Sequence, residues 1–191
     1  MRKIRAPPME LLCLKIIINK LLKTNKMKNF NSEYKNISTD FKSFIIESCE
    51  MYYEEMIKLD LKRPDLKIYS LESIKVLDAF IGDVANDAYK ADSIKWGSRY
   101  TSEWDSIYHL QFRFIGLYTG QTIINLYGGE WVYNKCDKSL NDLHIKADPI
   151  MIINPMQKVW KRFLNGEEDN LSLFVKSTPD FLKMVRNLGA K

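Results

Sequence analysis

Apolar residues return at helical spacing along much of this chain. From Phe41, the series Phe44, Ile45, Tyr52, Met56 and Leu59 predicts one inward stripe. Glu47, Glu50, Glu54 and Glu55 fall between them as an acidic outer face. Asn36 to Thr39 supplies N-cap chemistry, and Asp40 adds a favourable first-turn charge. Pro64 closes the segment because it disfavours helical dihedrals at Arg63. A second helix is predicted from Ser70 to about Lys90, with Leu71, Ile74, Leu77, Phe80, Ile81, Val84 and Ala88 as its buried stripe. Glu72, Lys75, Asp78, Asp83 and Asp87 take its other side. Between Glu103 and about Leu126 apolar groups occupy nearly every face, which predicts a central buried helix. Gln111, Arg113, Gln121 and Asn125 punctuate that run and argue against a membrane span.

The second half of the pattern mixes periods. Gly116 and Gly120 lie one turn apart on the central helix, where each costs about 1 kcal/mol against alanine. Something must approach that face closely, either a neighbouring backbone or ring, or a bound ligand. Gly128-Gly129 then breaks the helix and releases a strand from Glu130 to Tyr133. Further short strands are read at His144-Ile145 and from Ile150 to Ile153, after a polar hairpin loop. Asn154-Pro155 opens a helix by an N-cap and an N1 proline, and Gly166 closes it. Met156, Val159, Trp160, Phe163 and Leu164 are its inward stripe, and Lys158, Lys161 and Arg162 sit opposite. Leu171 to Val175 reads as a strand or a short helix. Thr178-Pro179-Asp180 then opens a separate last helix, which Gly189 stops. The fold class that follows is α+β. Two N-terminal amphipathic helices and one central buried helix pack on a small antiparallel sheet, with two C-terminal helices.

Charge changes the picture at the N-terminus. Residues 1–28 carry eight basic side chains and one acid, a net of +7, so the remainder of a chain of net +5 is slightly acidic at −2. The folded part therefore has no basic footprint for nucleic acid. The division is a basic extension, 1–28, and a single α+β domain, 29–191. Lys15, Asn19 and Lys20 interrupt the apolar residues of the extension, which excludes a membrane-spanning helix. Three readings of residues 1–26 stand: an amphipathic helix in weak contact with an anionic membrane surface, a helix packed on the domain, or a disordered or untranslated segment preceding a start at Met27.

Cys13, Cys49 and Cys136 are too few and too widely spaced for a disulfide framework or a zinc site, and they fit a reducing, cytoplasmic compartment. No phosphate-binding glycine loop, serine elbow or cysteine–histidine pair occurs, so neither cofactor nor metal is expected. The residues left for an enzyme are Glu130, between Gly129 and Trp131, and a cluster of Asp142, His144 and Asp148. Strand geometry puts that cluster on one face. Such a site reads as a small hydrolase-like enzyme. Against it stands a protein-binding reading, in which Trp96, Tyr100 and Trp104 bring three large rings together near a loop–helix junction and anchor a partner.

The pattern Gly116-x-Tyr118-x-Gly120-x-x-Ile123, then Gly129-x-Trp131, then Asn154-Pro155 and Asn165-Gly166, resembles a group of small uncharacterised bacterial domains. Some of these lie in loci encoding toxins and their immunity proteins. The resemblance covers roughly residues 70–175. Gln121 stands here where the pattern often has a carboxylate. The resemblance implies no established activity of its own; with those loci beside it, the expectation is a cytoplasmic protein-binding module of immunity type, and the residues read for its partner contact are Trp96, Tyr100, Trp104, Gly116, Gly120, Gln121 and Glu130. An acidic helix face suits a basic toxin.

Overall fold

Ser38 begins the first helix by accepting, on its hydroxyl, a hydrogen bond from the Phe41 amide at 3.3 Å. The computed structural model describes residues 34–90, 102–134, 143–148 and 151–189. A short strand β1 (Tyr34–Asn36) precedes helix α1 (Thr39–Tyr52), which passes without a break into a π-helical segment, Tyr53–Asp60. There follow α2 (Leu71–Lys90), α3 (Ser102–Tyr127), β2 (Glu130–Asn134), β3 (Leu143–Asp148), β4 (Met151–Ile153), α4 (Pro155–Asn165), a 3-10 turn (Gly166–Asp169) and α5 (Leu171–Gly189). The strands form one antiparallel sheet in chain order, with Val132 opposite His144 and Asn36 opposite Val132. This is the α+β architecture expected, with β1 as an edge strand that the hydrophobic pattern did not announce.

Helix starts follow their local chemistry. Ser70 and Ser73 cap α2 reciprocally, each hydroxyl accepting the other's amide at 3.1 and 3.2 Å. Asn154 accepts from the Gln157 amide at 2.9 Å and Pro155 occupies the first position of α4. Gly166 ends α4 at φ 70°, a conformation that favours glycine.

The core lies around α3, whose Phe112, Phe114, Ile115, Leu117, Tyr118 and Ile123 are buried against α1, α2 and α4. The two glycines of α3 are explained by packing. A Cβ on Gly116 would stand 2.6 Å from Met156 Sδ, and one on Gly120 would stand 2.1 Å from Trp131 Cη2. The indole of Trp131 fills the Gly120 face, and its N–H donates to Gln121 Oε1 at 3.0 Å. The close approach is made by the protein's own side chains.

Four local expectations are corrected. Leu59 does not join the inward stripe. After Tyr52 the helix widens, so that the Leu61 amide bonds the carbonyl of Met56, and the phase shifts to bury Tyr53 and Ile57 and leave Leu59 exposed. The separate last helix is one continuous α5 with Pro179 inside it. Its true N-cap is Asn170, whose side chain accepts from the Leu173 amide at 2.9 Å. Thr178, read as a cap, instead donates its hydroxyl back to the Phe174 carbonyl at 3.1 Å. Finally, Asp78 and Arg162, both assigned to outer faces, are buried together.

Candidate functional site

Three groupings of polar side chains stand out, two inside the protein and one on its surface. The first joins α2 to the end of α4. Arg162 donates from Nε to Asp78 Oδ1 at 2.8 Å and from Nη2 to Glu167 at 2.7 Å. The other Asp78 oxygen accepts from Asn170 at 2.6 Å, and Oδ1 also accepts the Leu171 amide at 2.7 Å. Gly82, one turn beyond Asp78 on α2, leaves the slot in which the guanidinium lies: a Cβ there would be 3.0 Å from Arg162 Nη2. The carboxylate is fully engaged, with three donors converging on it, so the cluster is a clamp holding α2, α4 and α5. The sequence carries only a faint trace of it, an aspartate and a glycine at i and i+4 on α2, which by itself does not point to an arginine 84 positions away.

The second grouping ties down residues 61–70, a connection containing two non-glycine residues of positive φ, Lys62 (52°) and Tyr69 (54°). Tyr118 accepts the Tyr69 amide at 2.8 Å and donates to Ser73 Oγ at 2.9 Å, while Tyr53 donates to the Leu66 carbonyl. Burial pushes the Tyr118 phenol up to about 12, with its hydrogen bonds to Ser73 and to the Tyr69 amide opposing the rise. Burial also raises the neighbouring Tyr69 phenol and the Cys49 thiol well beyond their ordinary ranges. These groups stay protonated, and the Tyr118 hydroxyl is the one that serves as a hydrogen-bond anchor for the connection. Cys49 has none of the activation a nucleophile requires.

The sequence candidates for chemistry disperse. Glu130 and His144 do share a sheet face, but Glu130 stands opposite Lys146 and His144 opposite Val132 on the ladder. That face is the reverse of the one from which Trp131 packs on α3. The His144 ring lies 3.2 Å from the side-chain amide of Asn154, the residue that caps α4. Asp142 and the side chain of Asp148 lie outside the described residues, as do Trp96, Tyr100 and the side chain of Trp104. Among the described residues no group of three histidine, cysteine or acidic side chains is placed to hold a metal. Of the partner-binding candidates, Gly116, Gly120 and Gln121 are interior, covered by Met156, Trp131 and Pro155. A partner cannot reach them without displacing Met156 over Gly116 or the Trp131 indole over Gly120 and Gln121, so this part of the expected surface is corrected to core.

The third grouping is on the surface. Along α1 and the π-helical segment Glu47, Glu50, Glu54 and Glu55 are exposed, and Met51 and Leu59 are exposed beside them. Lys58 lies within the row, paired to Glu54 at 2.7 Å and positioned over the Tyr53 ring. Burial of Ile45, Cys49, Tyr52, Tyr53, Met56 and Ile57 on the opposite side fixes the orientation of the row. The arrangement presents negative charge around two large apolar side chains. No helix among the described residues is long and apolar enough to cross a membrane. No family model matches this chain, and neither the curated proteins nor the solved structures give a match, so its assignment rests on the geometry above.

Proposed function

We propose that this chain is a cytoplasmic protein-binding module of immunity type, which neutralises a basic partner protein through the exposed row on α1 and the π-helical segment. The observation that carries the reading is the combination on one face of Glu47, Glu50, Glu54 and Glu55 with the exposed Met51 and Leu59. Charge on such a face steers encounter, and the two apolar side chains supply the desolvated contact that holds a partner once it has arrived. The interior supports the same reading. The tyrosine anchors of residues 61–70 tie the connection that follows the π-helical segment to the core, and a surface held in place before encounter loses little entropy on binding.

Purification of the full chain from its native cell tests this. The expected result is one stoichiometric basic protein, whose toxicity on separate expression is suppressed by this chain. A quadruple charge reversal at Glu47, Glu50, Glu54 and Glu55 to lysine abolishes that capture while leaving the far-UV circular dichroism unchanged. Capture indifferent to the reversal, or no stoichiometric partner, would overturn the reading.

A further inference from the structure

The outer side of α5 carries a second surface, independent of the acidic row. Leu173, Phe181 and Met184 are 63%, 45% and 52% exposed, while Leu171, Val175, Thr178 and Leu182 fill the buried side of the same helix. Helical periodicity places Leu173, Ser177, Phe181 and Met184 on one face. Lys176, Asp180 and Lys183, all exposed, run along one flank of it.

We propose that a second copy of this chain covers this stripe, in an antiparallel two-fold pairing of α5 with α5. The argument is self-complementarity. A two-fold axis crossing at the level of Thr178 brings Lys176 of each copy opposite Asp180 of the other, because both residues are equally far from the axis and on the same flank. The same axis sets Leu173 near Met184 of the partner subunit at each end of the contact. It lays Phe181 over Ser177 of the partner subunit, where a small side chain leaves room for a ring. Apolar surface therefore meets apolar surface along the stripe, and the charged flank pairs with itself twice. The stripe is small, so the dimer is concentration-dependent and exchanges with monomer.

Sedimentation equilibrium of the full chain over a wide concentration range tests the pairing. The weight-average mass is expected to rise from that of the monomer towards twice that value. Phe181→Glu should remain monomeric throughout, with its helical content intact. Lys176→Glu and Asp180→Lys should each fail to self-associate, since like charges then face one another. An equimolar mixture of these two variants should restore the dimer, since every acid then faces a lysine. Monomer mass for the wild-type chain at all concentrations would overturn the proposal. So would a dimer that survives Phe181→Glu, or a mixture that associates no better than its components.

Discussion

Arg162 and Asp78 stand 84 positions apart in sequence and 2.8 Å apart in space, and neither side chain reaches solvent to a significant degree. Removing either partner strands the other charge in the interior. We therefore expect Asp78→Ala and Arg162→Ala each to cost about 3–5 kcal/mol. The double variant should lose less than the sum, because the two belong to one network. Equilibrium chemical denaturation measures all three. Additive losses would show that the pair does not act as a unit.

Gly120 and Gly116 separate two kinds of close approach. A methyl at Gly120 runs into the rigid Trp131 ring, while at Gly116 its nearest neighbour is the flexible end of Met156, with the Met156 backbone at 3.1 Å. Gly120→Ala should destabilise by about 1–3 kcal/mol despite the better helix former, and Gly116→Ala by less. Thermal melts of the two variants check the order. A Gly120→Ala chain as stable as wild type would mean that the indole is not seated on that face.

The acid limb of stability has a specific contributor at the end of α4. Lys158 lies 2.5 Å from Asp169, and Asn165 donates to the same carboxylate at 2.6 Å. The Lys158 and Asn165 bonds together hold the Asp169 carboxyl below its ordinary range. The folded protein then binds this proton less readily than the unfolded chain. The stabilisation is complete above the unfolded value of about 3.9 and is lost as pH falls through the lower folded value. Denaturation midpoints between neutral pH and pH 2 should fall less steeply for Asp169→Asn than for wild type. Parallel curves would remove Asp169 from the account.

Cys49 is fully buried, and burial together with the Glu50 charge keeps its thiol protonated. In a chain with Cys13 and Cys136 replaced by serine, a thiol reagent should react with Cys49 only as fast as the protein opens. Added denaturant should release full reactivity. Prompt stoichiometric reaction in native buffer would contradict the packing of α1 on the core.

Local punctuation and long-range chemistry differed sharply in how far they could be read from the sequence. The caps at Ser70 and Asn154, the stop at Gly166 and the glycine break before β2 act within a few residues of themselves, so their effect was visible in the sequence. The π-helical widening was not, because it goes with Tyr53 and Ile57 turning inward, and Tyr53 stacks there on Tyr118, far along the chain. Pro179 misled for a similar reason. A proline ordinarily marks a helix start, yet here the packing of Leu171, Val175 and Leu182 carries α5 through it. The site was harder still. Glu130 and His144 have the residue types of acid–base chemistry, but the ladder sets each beside a different neighbour. Arg162 looked like a solvated cation because periodicity alone cannot show that Gly82 opens a slot for it.

The most direct measurement of the central claim is the association rate of the co-purified partner with the wild-type chain and with the Glu47, Glu50, Glu54 and Glu55 charge-reversal variant, as salt is raised. Steering by the acidic row predicts wild-type association that slows at least about tenfold from low to high ionic strength, and a variant that is slow at every salt concentration. Equal rates and equal salt dependence for the two chains would contradict it.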